Sequence, residues 1–193
     1  ATGLLGPGYV ATEEDRPRLG EGSHPRAAND LLALELASRG TRLSVVRPAS
    51  SVHGEGDHNF VPALIEIARS KGVSAYVGDG SGRWPAVHRL DAARLYRPAL
   101  EQAAAGSVFH AVAEEGVPTR DIAHVIGRHL DLPVVSIAPE DAGEHFGWIG
   151  GFFAADIPAS SALTRERLGW EPVHPGLIAD LEAGHYFAHA PVT

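Results

Sequence analysis

The chain has 193 residues, of which 44% are hydrophobic and 21% charged, as is typical of a globular protein with a sizeable core. Its 16 basic and 24 acidic side chains give a net charge of −8, which opposes attraction to phosphate backbones and anionic membranes. The absence of cysteine excludes disulfides, thiolate catalysis and cysteine zinc sites. No apolar run approaches the roughly 20 residues of a membrane helix, and no signal-peptide pattern is present, so we expect a cytoplasmic protein without nucleic-acid or membrane partners.

The beginning of the chain gives two expectations. No methionine is present, so residue 1 is not a retained initiator, and we expect the sequence to be a piece of a longer product. The first residues, Ala1 to Gly8, form a glycine-rich cluster. A dinucleotide-binding loop needs a strand before it and a helix after it, and neither is predicted here. An ordinary turn is therefore the favoured interpretation, with a cofactor loop as the alternative.

The strongest pattern is a helix followed directly by a short strand. Between Pro25 and Arg39 apolar residues recur in two adjoining stripes at helical spacing, and Gly40 ends the predicted helix. The stripes are Ala27, Leu31, Leu34 and Ala28, Leu32, Leu36. Leu43 to Arg47 is typical of a buried parallel strand, which Pro48 is predicted to end. Because open parallel sheets bind ligands at the carboxyl ends of their strands, the loop from Ala49 to Gly56 is predicted to border a site.

Helices and strands alternate along the rest of the chain. Helices are predicted from Asn59 to Lys71, from an Asp91 cap to Gly106, from a Thr119 cap to Leu130, from Pro139, from Ser161 to Leu168 and from Pro175 to Phe187. Short strands are predicted at Val73–Val77, Val108–Val112 and Leu132–Ile137. The alternation predicts an α/β fold, in which the strands at Leu43–Arg47 and Val108–Val112 share one parallel sheet covered by the first helix.

Several motifs follow one another in a fixed order. They are Arg47-Pro48 with Val52-His53-Gly54-Glu55-Gly56, Gly78-Asp79-Gly80 with Arg83, Val87-His88-Arg89-Leu90-Asp91, and Leu168-Gly169-Trp170-Glu171-Pro172 with Gly176-Leu177. In this order they resemble the second half of the extended short-chain dehydrogenases/reductases, the nucleotide-sugar epimerase and hydroxysteroid dehydrogenase relatives. His53 stands where that group usually has tyrosine, and Glu55 where it usually has proline. The resemblance implies part of a Rossmann-type parallel sheet with a smaller C-terminal substrate lobe.

The resemblance also implies how the chain is divided. Residues 1–52 and 86–116 are expected to form the C-terminal part of a nucleotide-binding α/β domain, and residues 53–85 and 117–193 the substrate-side lobe. The glycine-rich turn that holds the dinucleotide in this family is missing from the chain, so most of the cofactor-binding half is expected to lie outside it. A parallel sheet without its first strands exposes apolar edges and faces. We therefore expect either further chain or association into a homo-oligomer.

One departure from the family concerns catalysis. The family carries a Tyr-x-x-x-Lys pair on the helix before the arginine-proline strand, and the two positions fall near Arg26 and Asp30. The only lysine is Lys71, with Ile67 four residues before it, so this chain contains no such pair. An arginine cannot exchange protons near neutral pH. Arg26 and Asp30, at i and i+4, are interpreted as an ion pair on the helix surface. In this respect the chain resembles the atypical members of the superfamily.

The resemblance implies three groups of site residues. Thr2 and His53 are the candidates for proton transfer. The stretch expected to border a nicotinamide cofactor, NAD or NADP, is Pro48, Ala49, Ser50, Ser51 and Val52. Those expected to contact a small-molecule substrate are His53, Arg83 and Trp84. A guanidinium after a glycine turn suits a phosphate or carboxylate, so Arg83 is interpreted either as a substrate ligand or as part of an intramolecular ion pair. For Trp84 the alternative is packing.

Other chemistries receive less support. The chain has 11 histidines, and His185 and His189 stand at i and i+4, but no glutamate follows His185 in the metalloprotease arrangement and no third ligand can be named beside that pair. His53 and His58, close in sequence to Asp57, are interpreted as lining the substrate loop or facing solvent, so no metal is predicted. Ser50, Ser51 and His53 lack the Gly-x-Ser-x-Gly turn of α/β-hydrolases. The sequence thus predicts an NAD(P)-binding oxidoreductase- or epimerase-like protein. The alternative is a noncatalytic protein that senses a ligand or interacts with a partner on the same fold.

Overall fold

The computed structural model describes residues 2–5, 7–17, 19–20 and 25–188. Strands and helices alternate, which confirms the predicted α/β class. The strands are β1 (Val45–Pro48), β2 (Ser51–His53), β3 (Ser74–Val77), β4 (Arg83–His88), β5 (Val108–Ala111), β6 (Glu114–Pro118) and β7 (Val134–Ile137). The α-helices are α1 (Pro25–Ser38), α2 (Phe60–Lys71), α3 (Arg89–Gln102), α4 (Thr119–Leu130), α5 (Ala142–Phe146), α6 (Gly150–Phe153), α7 (Ala162–Leu168) and α8 (Leu177–Glu182). Single 3₁₀ turns occur at Thr2–Leu4, Pro139–Asp141 and Gly147–Ile149.

β1 and β5 form the predicted parallel pair, with Val45 opposite Val108, and α1 packs against β1. Only one of the two predicted apolar stripes of α1 is buried. Leu34 is buried, whereas Leu32 and Leu36 are 51% and 37% exposed. The buried row is Ala27, Asp30, Leu34 and Ala37. It includes a carboxylate, which a search for apolar residues does not find, and the prediction of a wider apolar face was wrong.

The sequence predicted a loop from Ala49 to Gly56, but this prediction was wrong, because a strand begins at Ser51. Pro48 still lies opposite Ala111 in β5, and Ser51 begins β2, which is parallel to β4. A proline at the end of a strand removes only one N–H from the ladder. The connection is therefore limited to Ala49 and Ser50, and β2 continues as a buried strand that ends at His53.

The sequence did not predict β4 and β6. β4 lies between β2 and β6, parallel to the first and antiparallel to the second. Its pairing with β6 shifts register between Trp84 and Ala86, so Pro85 occupies the irregular position where a missing N–H is tolerated. A search for alternating apolar residues does not find these strands, because β4 contains Pro85 and β6 begins with two glutamates.

The second half of the fold is built on β3 and β7, which are parallel, with α2 and α4 packed on β3. α2 ends where its sequence predicts, because Gly72 adopts the left-handed conformation at φ 70° that favours glycine. Thr119 is the first residue of α4 and not its cap, since Pro118 occupies that position. The last predicted helix, Pro175 to Phe187, is limited to α8.

The start of α3 also differs from the prediction. His88, not Asp91, caps the helix, and its ring accepts a hydrogen bond from the N–H of Leu90. Asp91 is fully buried within the first turn and accepts the backbone N–H groups of Val173 and His174 at 3.0 and 2.9 Å. The carboxylate of Asp91 thus joins α3 to the segment before α8. This contact, and not helix capping, is its role in the Val87–Asp91 motif.

β4 contributes to two hydrophobic clusters. Trp84 and Ala86 belong to a cluster with α2, α4, α6 and α8, whereas Val87, on the opposite face of the strand, packs in a cluster with α3 and β5. Trp170 completes the second cluster, and its indole N–H donates to the carbonyl of Asp91 at 3.0 Å. Over the described residues, we find no helix with both the length and the apolar character that crossing a bilayer requires.

Candidate functional site

A pocket of about 420 Å³ opens at the carboxyl end of β1. Its size lies within the range of small-molecule sites. Part of the lining comes from the 3₁₀ turn, α1 and the connection between β1 and β2: Gly3, Arg26, Pro48, Ala49, Ser50 and Val52. The rest comes from the second half of the fold: Asn59, Phe60, Trp84, Trp148, Phe152 and Ile157. The pocket therefore lies between residues of the two hydrophobic clusters.

The predicted cofactor stretch contributes to this pocket through four of its five residues. The N–H of Ala49 donates to the carbonyl of Ala111 at 3.0 Å, which fixes the connection between β1 and β2 beside the end of β5. Pro48, Ala49, Ser50 and Val52 line the pocket. Ser51 is buried and is not part of the lining, because alternate residues of a strand point to opposite sides.

Thr2 and Gly3 lie next to this connection. A Cβ atom added at Gly3 would lie 3.0 Å from Ser50 Oγ and 3.3 Å from Ile157 Cδ1, so a larger residue would crowd the pocket wall. Thr2 is buried, and its hydroxyl has no hydrogen-bond partner among the described residues. The predicted catalytic role of Thr2 stays a prediction.

Aromatic rings dominate the other side of the pocket. Phe60 lies edge-on to Trp84 with ring centroids 5.0 Å apart, and 5.5 Å from the ring of Trp148. The indole N–H of Trp84 donates to the carbonyl of Phe152 at 3.0 Å, which fixes the ring at the pocket. Trp84 is buried, whereas Trp148 is 67% exposed. Trp84 thus both packs in the core and borders the pocket.

His53 lies away from the pocket lining. Its ring is fully buried, and Nδ1 is 2.8 Å from Oδ2 of Asp180, while Nε2 has no partner among the described residues. The ring of His88 lies 5.5 Å away, edge-on. Burial, and then the nearby charge of His53, lowers the pKa of His88. A catalytic or substrate-binding role for His53 stays a prediction, and in this arrangement the side chain stabilises the contact between β2 and α8.

Arg83 forms an intramolecular ion pair, the alternative that the sequence left open. Its Nε and Nη2 donate to the two carboxylate oxygens of Asp156 at 2.8 and 2.9 Å, and its backbone N–H donates to Oδ1 at 3.0 Å. The hydrogen bonds from Arg83 lower the pKa of Asp156. Arg83 is not among the residues that line the pocket. Its predicted contact with substrate is not tested by this arrangement.

Arg26 and Asp30 lie near the family's tyrosine and lysine positions, and they do not form the expected surface ion pair with each other. Arg26 lines the pocket. Asp30 is buried, and its Oδ2 accepts a hydrogen bond from Nε of Arg47 at 2.9 Å. The interpretation of Asp30 as one half of a surface pair with Arg26 was therefore wrong, because the buried guanidinium of β1 is its partner.

On the aromatic side of the pocket the sequence indicated Trp84 but not its neighbours. Trp148, Phe152 and Ile157 were not singled out, although the segment from Phe146 to Phe153 is dense in aromatic residues in a chain with only 7% of them. That local density was the available signal. Among the described residues, no group of three or more histidine, aspartate or glutamate side chains is arranged to hold a metal ion. His189, considered as a ligand beside His185, lies outside the described residues.

No protein-family model matches the chain. It is 53% identical over 163 residues to the uncharacterized protein C2A9.02 of Schizosaccharomyces pombe, a match that covers 84% of this chain and 55% of that protein. It is 46% identical over 182 residues to the uncharacterized protein YLL056C of Saccharomyces cerevisiae, with 94% of this chain and 60% of that protein covered. The chain thus spans little more than half the length of these relatives.

Several solved structures have a similar fold, and the names of two of them state a nucleotide-sugar activity. DesIV, a dTDP-glucose 4,6-dehydratase from Streptomyces venezuelae with NAD bound, matches 95% of this chain and 56% of its own, with a TM-score of 0.71 at 18% identity. PA4631, a nucleoside-diphosphate-sugar epimerase from Pseudomonas aeruginosa, matches 96% of this chain and 64% of its own, with a TM-score of 0.72 at 20% identity. RMD from Pseudomonas aeruginosa, complexed with NADPH, has a TM-score of 0.62 at 18% identity, covering 94% of this chain and 64% of its own. As the motifs predicted, the chain has the Rossmann-like fold of these dehydratase and epimerase structures, and it spans little more than half of each.

Proposed function

We propose that the intact protein binds a nicotinamide cofactor, NAD or NADP, together with a small organic molecule, and acts as an oxidoreductase- or epimerase-like protein. The observation that carries this proposal is the pocket at the carboxyl end of β1, bordered by Pro48, Ala49 and Ser50. Parallel sheets bind their ligands at this edge. In the proposed organisation, residues 1–52 and 86–116 belong to the nucleotide-binding domain, and residues 53–85 and 117–193 to the substrate-side lobe.

The local backbone supports the cofactor part of the proposal. Gly3 leaves open the space beside Ser50 that a side chain would enter. Two proteins with this fold, DesIV and RMD, were crystallised with NAD and NADPH. The residues of this chain that would border the cofactor are Pro48, Ala49, Ser50 and Val52, with Ser51 buried behind them. A nicotinamide, when bound, would supply hydride transfer to or from the ligand.

The side chains of the pocket limit the proton transfer that this chain can provide. Among its described lining residues, only Ser50 carries a hydroxyl. His53 is enclosed in the core, and the chain contains no Tyr-x-x-x-Lys pair. Loss of a positioned general acid typically lowers a rate by a factor of about 10² to 10⁴. We therefore expect tight ligand binding to be accompanied by slow alcohol–ketone chemistry unless Thr2, Ser50 or a residue outside the chain donates the proton.

One observation favours the second candidate, a noncatalytic protein that senses a cofactor or ligand. Asp30, near the lysine position of the family, is buried in an ion pair with Arg47. A carboxylate there does not supply the positive charge that lowers the pKa of a catalytic phenol. In this candidate function the same pocket binds the ligand, and the chemical step is absent.

Calorimetric titration of the full-length protein with NADH and NADPH, beside a reductase screen over ketones and aldehydes, tests both candidates. Binding with turnover supports an enzyme, and binding without turnover supports a sensor. Rapid turnover that persists in His53→Ala and Thr2→Ala variants would remove these residues from the catalytic machinery. If neither cofactor binds, the proposal is wrong.

A further inference from the structure

The charges of the pocket do not match a nucleoside-diphosphate sugar. Such a ligand carries two phosphates, and burying them requires several cationic or N–H donors. Of the described residues that line the pocket, Arg26 is the only one with a charge at neutral pH. Arg83, the guanidinium that the sequence indicated for this task, directs Nε and Nη2 to the carboxylate of Asp156. If Arg83 turned to a phosphate, the carboxylate of Asp156 would lose its partner, and its negative charge would repel the ligand.

The aromatic side of the pocket offers a different kind of contact. The rings of Phe60, Trp84, Trp148 and Phe152 line it together with the apolar side chains of Val52 and Ile157. Phe60 stands between Trp84 and Trp148, with ring centroids 5.0 and 5.5 Å away. Offset or edge-to-face contact with such rings adds favourable free energy beyond the burial of apolar area. Three neighbouring rings therefore favour a flat ligand over a puckered sugar.

Trp148 is the part of this surface that still faces solvent. Its side chain lies against Phe60, yet 67% of the residue is exposed, and Phe152 is 39% exposed. Large exposed rings grouped at the edge of a pocket are typical of a binding surface, because a ligand that covers them removes apolar area from water. Ser50 and Asn59 supply the few uncharged polar side chains that orient such a ligand.

We infer that the pocket binds a planar, largely apolar molecule of one or two aromatic rings, and not a nucleoside-diphosphate sugar. The inference rests on the proposed function, since it names the class of ligand for the same pocket. The neighbouring rings of Phe60 and Trp148 provide the affinity. The ion pair of Arg83 with Asp156 withholds the cation that a diphosphate needs. The chain thus keeps the fold of its structural neighbours while its pocket has a different specificity.

The test compares ligands of different shape and charge. 2-Naphthol is a planar two-ring probe, and decahydro-2-naphthol is its saturated, puckered counterpart. dTDP-glucose and UDP-glucose represent the diphosphate class. Each is titrated calorimetrically into the full-length protein, with and without NADH, and NADH is titrated alone. We expect saturable binding of 2-naphthol, at least about tenfold weaker binding of the saturated probe, and no binding of either nucleotide sugar.

Three variants locate the binding surface. Trp148→Ala removes an exposed ring and is expected to weaken 2-naphthol binding about tenfold, as a lost ring contact of about 1.4 kcal/mol would. Tyr96→Ala is the matched control, because Tyr96 is 52% exposed on α3 and does not line the pocket. It is expected to change nothing. Arg83→Met is expected to leave 2-naphthol binding unchanged.

Each other outcome contradicts the inference. Saturable binding of dTDP-glucose or UDP-glucose that Arg83→Met abolishes would show that Arg83 serves a diphosphate. Equal binding of the planar and saturated probes, or equal losses in Trp148→Ala and Tyr96→Ala, would show that the aromatic rings of the pocket are not the binding surface. If NADH binds and 2-naphthol does not, the inference is wrong while the cofactor part of the proposed function stands. If neither binds, both are wrong.

Discussion

Arg47 and Arg83 form ion pairs of nearly the same length in opposite surroundings. Arg47 Nε lies 2.9 Å from Asp30, with the two side chains 2% and 7% exposed. Arg83 Nε lies 2.8 Å from Asp156, with the side chains 42% and 35% exposed. Distance alone would rank the pairs as equals. Water screens the second pair and not the first, so the consequence of breaking each is expected to differ severalfold.

The surroundings of Arg47 form a buried polar cluster. Its Nη1 donates to the carbonyl of Asp15 at 2.8 Å and lies 3.3 Å from Nε2 of His110. The backbone N–H of His110 donates to the hydroxyl of Thr164, which in turn donates to the buried carboxylate of Glu13. The cluster joins α1, β1, β5, α7 and the segment before α1. The comparison teaches that the buried arginine organises the fold, whereas the exposed one fastens a local contact at the end of β4.

The largest effect is expected from Asp30→Ala, which leaves the guanidinium of Arg47 buried without its carboxylate. Breaking a buried pair from one side typically costs about 3–5 kcal/mol of the free energy of unfolding. Urea denaturation of the full-length protein measures it. The double variant Asp30→Leu with Arg47→Met removes both charges and is expected to lose much less than Asp30→Ala. A loss below about 1 kcal/mol in the single variant would show that burial does not separate the two ion pairs.

Acidification is expected to weaken the buried cluster before the exposed pair. Burial, and the positive charge of Arg47, lower the pKa of His110 below its ordinary value of 6.5. The unfolded chain therefore binds more protons than the folded one once the pH falls below 6.5, and the free energy of unfolding decreases there. Asp156, with a pKa lowered from 3.8 by Arg83, stays ionised in the same range.

The measurement is urea denaturation of the wild type and His110→Gln between about pH 8 and about pH 5.5. Glutamine retains an acceptor near Arg47 and does not titrate. His88 and His145 also have pKa values lowered by burial, so part of the wild-type pH dependence should remain in the variant. An identical pH dependence in both proteins would contradict the assignment to His110.

Asp156→Ala is expected to have a smaller effect. Exposed ion pairs typically contribute about 0–1 kcal/mol, and added salt screens them. The variant also removes the acceptor of the Arg83 backbone N–H, which water can replace at this exposed site. We expect a loss of at most about 1 kcal/mol that shrinks in high salt, measured by the same denaturation. If Asp156→Ala lowered the free energy of unfolding as much as Asp30→Ala does, the two ion pairs would contribute equally and burial would not distinguish Arg47 from Arg83.

Local patterns were sufficient for the elements that their own residues determine. The helix and strand on either side of Gly40, and the end of α2 at Gly72, follow from spacing and glycine conformation within about a dozen residues. The alternation of helices and strands gave the fold class, because a chain of βαβ units has few topologies that bury its sheet.

The remaining features depend on residues that are distant in sequence. Arg83 and Asp156 are 73 positions apart, and His53 and Asp180 are 127 positions apart, so neither pairing leaves a local signal. Asp91 is a residue type that often caps a helix start, but its carboxylate accepts the backbone N–H groups of Val173 and His174, which are 82 and 83 positions away. The aromatic side of the pocket depends on bringing α2, β4 and the segment around Trp148 together, which only tertiary packing accomplishes.

Thr2 extends the comparison to a buried side chain that has no charge and no hydrogen-bond partner among the described residues. Its hydroxyl is enclosed without a hydrogen bond from the described residues, so the free energy of folding includes its loss of water. An unsatisfied buried polar group typically costs about 1–3 kcal/mol. Thr2→Val has the same shape and removes that group, and we expect the free energy of unfolding to stay constant or rise by up to about 1 kcal/mol.

Thr2→Ser is the matched control, because it keeps the hydroxyl and removes one methyl group. If the hydroxyl of Thr2 serves the pocket, Thr2→Ser should retain ligand binding or turnover while Thr2→Val loses it, although the valine variant is at least as stable. If the hydroxyl is only packed, both variants should bind and turn over as the wild type does. A valine variant that is destabilised by more than about 1 kcal/mol would show that the hydroxyl has a hydrogen-bond partner in the intact protein, and would place Thr2 with Asp30 among the buried groups whose partners stabilise the fold.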